Sequence, residues 1–290
     1  MTTFSIIGYG EVGSRFATDL AQNANGPIRV FDIDDKARCR AADAAHVTVT
    51  ETAADAACET DVVVVSVTPN SVLDAVESLM GSLGHAPLVL DVNSVSPGTK
   101  AAAFERIELF GGRYVEAAIT TSIPAHGLRS PMLLGGPHMR AFAETMAPFA
   151  MALTAFSPDV GRASSVKMCR SILIKGLEAL VIESMLSARH YGVENEVLAS
   201  LVDTLPHKDW SALARYLIGR SLVHGRRRSE EMFEAAQTVR QAGFEPLLSA
   251  AIAERQVWSA RQGSALQPSQ LSVSELGPLL DAVRQACSAK

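Results

Sequence analysis

The sequence predicts an α/β chain: a doubly wound sheet in the first half, followed by an all-helical domain. Three observations predict it. Short apolar runs alternate with helical stretches as far as about residue 160, the pattern of strands joined by crossover helices. One run, Asp61-Val62-Val63-Val64-Val65-Ser66-Val67, is almost continuously β-branched, as suits a central strand buried on both faces. Beyond residue 160 no strand-like run recurs, and helical periodicity carries the chain to its end.

Taken in order, strands are expected near 3–8, 28–32, 46–49, 61–67 and 87–92, with helices between them, and further strands at 113–119, 131–135 and 152–156. Residues 160–191 suit one long helix. Helix stops follow at Gly192, at Pro206 and at Gly243 before Pro246. Two domains result, 1–160 and 161–290. No repeat or low-complexity linker separates them.

With 290 residues, 48% of them hydrophobic, the chain can bury full cores without staples. A net charge of −5, with both signs interspersed, leaves no electrostatic footprint for nucleic acid. Cys39, Cys58, Cys169 and Cys287 stand without C-x-x-C spacing, so buried or inert thiols in a reducing cytosol are expected. The first residues lead directly into a strand, which predicts no signal peptide and a cytoplasmic location. The apolar runs are too short to span a bilayer. No histidine or carboxylate spacing suggests a metal site.

The first strand, Phe4-Ser5-Ile6-Ile7, runs into Gly8-Tyr9-Gly10-Glu11-Val12-Gly13. G-x-G-x-x-G between a strand and a helix is the arrangement a dinucleotide pyrophosphate needs. Gly8 permits the tight turn, Gly10 lets backbone approach the phosphates, and Gly13 lets the helix pack close to the sheet. The anion then rests on the open N–H groups at the helix start. In such a Rossmann-type domain, ligands bind beyond the carboxyl ends of the strands. That places Val67, Thr68 and Pro69 after one strand, and Asn93 after the next, beside the cofactor with Tyr9, Glu11 and Val12.

Asp32, at the end of the second strand, suits the adenosine ribose hydroxyls and repels a 2′-phosphate, so the cofactor is expected to be NAD. NADP is not excluded. Lys36, Arg38 and Arg40 follow closely and could cradle a phosphate if Asp32 turned away, although an ordinary solvated helix face is the favoured account of them.

On the long helix, Lys167, Ser171, Lys175 and Glu178 fall within one narrow stripe, while Val166, Leu173, Leu177, Leu180 and Val181 populate other faces. Two readings remain open at this point. The stripe is solvated, or it faces a cleft.

Four stretches then carry a resemblance: Gly8-x-Gly10-x-x-Gly13, Asp91-x-Asn93-Ser94, Glu116-Ala117-Ala118 through Gly135-Gly136, and Gly161-x-x-x-x-x-Lys167. In this order they resemble the β-hydroxyacid dehydrogenase superfamily, which includes 6-phosphogluconate and 3-hydroxyisobutyrate dehydrogenases. Val166-Lys167-Met168-x-Arg170-Ser171 and His224-x-x-Arg227-Arg228-x-x-Glu231-Met232 look like a branch with a phosphogluconate-dehydrogenase-like C-terminal domain. The resemblance implies an NAD(P)-dependent dehydrogenase acting on the CH–OH of a small hydroxyacid or polyol-like substrate, with Lys167 as general acid/base on the first interdomain helix. It also implies a homodimer or higher oligomer built through the helical domain.

Two departures matter. The superfamily usually has asparagine where this chain has Ser171. Its substrate segment reads Asp-x-Pro-x-Ser-Gly-Gly, against Glu116-Ala117-Ala118-Ile119-Thr120-Thr121-Ser122 here. The oxidoreductase class survives both, whereas 6-phosphogluconate as substrate does not.

A lysine acts as a base near neutrality only if its pKa falls from about 10.4 towards 7–8, a shift of about 4 kcal/mol. Arg170 and Lys175 are expected to supply a neighbouring charge and to lie at the substrate. Ser94, Thr120 and Thr121 are expected to hydrogen-bond its carboxylate or hydroxyl, with Ser171 assisting Lys167. His224 with Arg226, Arg227 and Arg228 reads either as a second anion-binding group or as a solvated helix face. A β-keto product would also lose CO₂. The competing readings are an imine reductase on the same scaffold, against which Lys167 counts, and a non-catalytic NAD-binding regulatory protein.

Overall fold

The computed structural model describes residues 2–24, 26–121 and 123–288. Ser122, the last residue of the divergent substrate segment, lies outside them. The chain divides into two compact units, Met1–Met168 and Cys169–Lys290.

The first unit holds eight strands: β1 (Phe4–Ile7), β2 (Ile28–Phe31), β3 (Val47–Val49), β4 (Val62–Val65), β5 (Leu88–Asp91), β6 (Arg113–Ile119), β7 (Met132–Gly135) and β8 (Leu153–Ser157). Each lies where the sequence placed it. Its helices are α1 (Glu11–Leu20), α2 (Asp35–Ala42), α3 (Ala53–Ala57), α4 (Val72–Glu77), α5 (Pro97–Leu109), α6 (Ile123–His126) and α7 (Met139–Thr145). All eight strands form one sheet in the order β3-β2-β1-β4-β5-β6-β7-β8. The pairings are parallel except β6 with β7. The chain leaves β1 towards β2 and β3, then returns to β4 on the other side of β1, which makes the gap between β1 and β4 a topological switch point.

Alternation along the strands feeds two cores, one on each face of the sheet. Phe4, Ile6, Val62, Val64, Leu88 and Leu90 pack with Phe16 and Leu20 of α1 on one face. Ile7, Val63, Val65 and Val89 pack with Leu79, Leu83, Ile107 and Tyr114 on the other.

Helix α8 (Arg162–Tyr191) begins in the first unit and continues in the second, so the division falls inside this helix. The second unit adds α9 (Glu194–Thr204), α10 (Trp210–Gln241), α11 (Leu247–Ala265), α12 (Pro268–Leu271) and α13 (Leu276–Ser288). Asp209 caps α10, accepting a hydrogen bond from Ala212 N–H at 2.8 Å. Ile182 and Met185 of α8, Trp210, Ile218 and Leu222 of α10, and Leu279, Leu280 and Val283 of α13 make its apolar core.

The long helix is inverted relative to an ordinary amphipathic one. Ser171, Lys175 and Glu178 are buried, whereas Leu173 and Leu180 are 76% and 70% exposed. The polar stripe is therefore not solvated. Of buried or inert thiols, the structure removes burial: Cys39, Cys58, Cys169 and Cys287 are all free and exposed. Helix α2, for example, turns its small Ala37 and Ala41 inward and leaves Cys39 outside. Among the described residues no helix is long and apolar enough to cross a membrane.

Candidate active site

Strand register assembles the site. Phe31, Ile7, Val65, Asp91, Glu116 and Gly135 lie side by side across β2, β1, β4, β5, β6 and β7. The segments expected at the cofactor all emerge just beyond this row: Gly8 to Gly13 after β1, Asp32 after β2, Val67 to Pro69 after β4, and Asn93 after β5, followed by Ser94, expected at the substrate. Thr120, half-buried, and Thr121, exposed, follow the longer β6.

The glycine turn is shaped as the motif requires. Gly8 has φ +96°, and a Cβ there would lie 2.4 Å from the Ser66 carbonyl oxygen. A Cβ on Gly13 would lie 2.0 Å from the Gly8 oxygen, so this glycine allows α1 to press against the turn. Gly10 caps α1 without any side-chain hydrogen bond, and nothing lies within 4 Å of where its Cβ would be. The first N–H groups of α1, beginning with exposed Glu11 and half-buried Val12, thus open onto a cradle that a side chain would fill. These residues fit a dinucleotide pyrophosphate.

Asp32 is turned towards that loop. Its Oδ2 accepts from Tyr9 N–H at 2.6 Å and its Oδ1 from Asp34 N–H at 2.8 Å. Each oxygen keeps a second lone pair for a ribose hydroxyl. Tyr9 contributes through this backbone bond, because its side chain is in the core.

Under the β4 and β5 ends lies a buried polar cluster. The Asp91 carboxylate accepts from Asn93 N–H at 2.9 Å, Asn93 Nδ2 at 2.6 Å, Lys100 Nζ at 2.8 Å and Tyr114 OH at 2.8 Å. Burial, then the Asp91 charge, pushes the Tyr114 phenol well above its usual range. Asn93 also donates to the Val65 carbonyl and accepts from Val67 N–H. Its amide is committed to joining the two strand ends, so Asn93 shapes the loops rather than offering a free group.

Glu116 joins α8 to the same row. It is fully buried, and its Oε1 accepts from Gly161 N–H at 2.9 Å and Ala163 N–H at 3.1 Å. A carboxylate from the sheet thereby caps the positive end of the helix that carries Lys167. Gly135 beside it must lack a side chain, since a Cβ would lie 2.3 Å from that oxygen. Lys167 follows one turn after Ala163 and is half-buried.

In the second unit, Lys175 donates to Ser171 Oγ at 3.0 Å and pairs with Glu231 at 2.6 Å. Burial lowers the Lys175 pKa, opposed by Glu231. Arg228 pairs with Glu178 at 2.7 Å, and Gln256 donates to the same carboxylate. Burial raises the Glu178 pKa, with Arg228 and Arg220 opposing. Lys175 and Arg228, expected at the substrate, are each paired with a carboxylate, half-buried Glu231 and buried Glu178, because a charge in a helical core needs a counterion. Arg170 and His224 are exposed, as are Arg226 and Arg227.

The roles of Glu116, Lys100, Glu178 and Glu231 emerge from their partners in the fold. Glu116 had a readable signal, a carboxylate inside the apolar run Tyr114–Ile119. Lys100, on an ordinary helix, had none.

A family model described as "NADP oxidoreductase coenzyme F420-dependent" matches residues 3–94, and one described as "Domain of unknown function (DUF1932)" matches residues 188–259. The chain is 33% identical to a conserved hypothetical protein from Sinorhizobium meliloti 1021, over 99% of this chain and 97% of that one, with a TM-score of 0.77. The chain belongs to the same family. The family's fold recurs in MTH1747, a conserved protein of unknown function described as structurally similar to 3-hydroxyacid dehydrogenases. That protein is 27% identical, over 90% of this chain and 99% of its own, with a TM-score of 0.67. A 3-hydroxyisobutyrate dehydrogenase from Mycobacterium tuberculosis shares the fold at 16% identity, over 98% and 99% of the two chains, with a TM-score of 0.70. The superfamily and the class of nicotinamide-dependent oxidoreductase expected from the sequence agree with these findings. They support a hydroxyacid-type dehydrogenase.

Proposed function

We propose that the protein oxidises the CH–OH of a small hydroxyacid or polyol-like substrate reversibly, with Lys167 as general acid/base and NAD preferred to NADP. One observation carries this reading. The register row brings the dinucleotide loops and, through Glu116, the start of α8 to one edge of the sheet. From β1 to β6 is three strand spacings, about 14 Å.

The bound cofactor supplies the hydride acceptor. Lys167, in its neutral form, takes the substrate hydroxyl proton and returns it to the carbonyl oxygen in the reverse direction. Ser94, Thr120 and Thr121, beyond the ends of β5 and β6, hold the substrate carboxylate or hydroxyl. Ser171, four residues after Lys167 on α8, adds a hydroxyl whose oxygen Lys175 already engages. Where the product is a β-keto acid, loss of CO₂ is a second step of the same reading. The NAD preference rests on Asp32, which is oriented to receive ribose hydroxyls and whose charge disfavours a 2′-phosphate.

The helical unit is proposed to take part in substrate binding and in pairing two copies of the chain. Val166, Leu173 and Leu180 recur every seven residues along α8, and Leu247 and Leu248 of α11 are 72% and 75% exposed. Apolar surface on this scale is what a partner helix covers.

A panel of hydroxyacids and polyols, offered with NAD and with NADP and followed by the absorbance of the reduced cofactor, tests the reading. Turnover of one of them, lost in Lys167→Met, is the expected result. Turnover unchanged by that substitution removes Lys167 from the mechanism.

A further inference from the structure

At the end of β2 the sheet opens into a cavity of ≈ 830 Å³, whose walls include Phe31, Ile33, Asp35, Arg38, Val49 and Thr50. It adjoins Asp32, so it is where the adenosine end of a bound dinucleotide would lie. Arg38 is the cation in its wall. Its Nη1 donates to the Asp32 backbone carbonyl at 2.7 Å, and its Nη2 is paired with the Asp35 carboxylate.

A guanidinium grips a phosphate with two parallel N–H groups. Arg38 already directs one N–H of each terminal nitrogen elsewhere, one to a carbonyl and one to a carboxylate. Its side chain is about one-third exposed and that of Asp35 is 85% exposed, so both can be reached from the cavity. With Glu51, which also lines the cavity, Asp32, Asp35 and Arg38 carry two net negative charges where a 2′-phosphate would sit. Removing the Asp35 charge lowers that repulsion by one unit and releases one edge of the guanidinium. The Asp32 carboxylate does not turn aside in exchange, because Tyr9 and Asp34 N–H groups hold it.

We infer that Asp35 is a second determinant of cofactor choice, acting by keeping Arg38 from the 2′-phosphate of NADP. This rests on the proposed dinucleotide site and adds to the role of Asp32. The pair is exposed and individually weak, so the effect is a graded one on affinity. Asp35→Asn is expected to tighten NADPH binding by about two- to fivefold. NADH, which has a hydroxyl there, should change by less than about twofold on the same grounds.

Fluorescence titration of NADH and NADPH into the full-length wild type, Asp35→Asn, Arg38→Gln and the double variant tests this. The expected result is a gain for NADPH in Asp35→Asn that disappears when Arg38 is also replaced. An unchanged NADPH affinity, or an equal gain without Arg38, overturns the inference. The outcomes separate the two layers. A wild type that binds NADPH more tightly than NADH defeats the NAD preference, while the effect of Asp35 is still read as a ratio of variant to wild type. A wild type that binds neither dinucleotide overturns both. Should Asp35→Asn fail to fold, Asp35→Ser removes the same charge and gives the same comparison.

Discussion

Lys167 and Asp32 are the two residues on which the chemistry turns. Lys167→Met should preserve NADH affinity and lower turnover by about 10² to 10⁴, the usual worth of a positioned acid or base. Ser171→Ala should cost about tenfold, since roughly one hydrogen bond is lost. A pH–rate profile that keeps its shape and height in Lys167→Met would assign the proton transfer to another group. For Asp32→Ala the expected loss is about 1.5–3 kcal/mol of NAD affinity, the range for a hydrogen bond to a charged acceptor. Calorimetric titration gives this directly, and an unaltered affinity would detach Asp32 from the ribose.

Among the elements, α8 depends most on contacts the helix cannot supply alone. Its first turn hangs on one buried carboxylate, Glu116. Glu116→Ala should destabilise the protein by about 2–6 kcal/mol, because two buried N–H groups lose their acceptor at about 1–3 kcal/mol each. Glu116→Gln, which keeps an acceptor oxygen, should cost clearly less. Urea unfolding of the two variants tests this, and equal losses would mean that the negative charge at the helix start, not the acceptor oxygen, carries the effect. Further along, burial holds the Glu178 pKa above its ordinary 4.5. The folded state therefore keeps a proton that the unfolded state has released as pH rises past 4.5. Glu178 contributes most to stability below that pH and loses the contribution as pH rises through its folded value. Relative to Glu178→Gln, wild-type stability should fall as pH rises from about 4.5 through the folded-state value. Unfolding curves across that range check it, and a difference moving in favour of the wild type would reverse the assigned direction.

For the whole molecule, the exposed leucines of α8 and α11 predict a homodimer. Light scattering at micromolar concentration should give twice the monomer mass. Leu173→Glu with Leu180→Glu should return it to the monomer, since each substitution puts a charge into a surface that must dehydrate on association. A wild type already monomeric at that concentration ends the assembly reading. The two family models match residues 3–94 and 188–259. The stretch between them holds Glu116, Gly161 and Lys167, so the lysine proposal rests on the resemblance carried by Gly161-x-x-x-x-x-Lys167 and on the placement of the start of α8.

Sequence was sufficient wherever the deciding interaction is local or periodic. All eight strands, the long helix after residue 160 and the glycine turn were legible because burial on a sheet face and tight turns leave marks at neighbouring positions. Asp32 was legible for the same reason, standing a fixed distance beyond the glycines. What stayed hidden involves partners far apart along the chain: Glu116 with Gly161, Asp91 with Lys100, Lys175 with Glu231, and Glu178 with Arg228. Helical spacing put Lys175 and Glu178 on one stripe but left open whether that stripe met water, a cleft or counterions. Packing of α8 with its neighbours answered this, because a charge is tolerated in a core only beside an opposite one. That pairing is a property of three-dimensional neighbours, and no spacing along the chain encodes it.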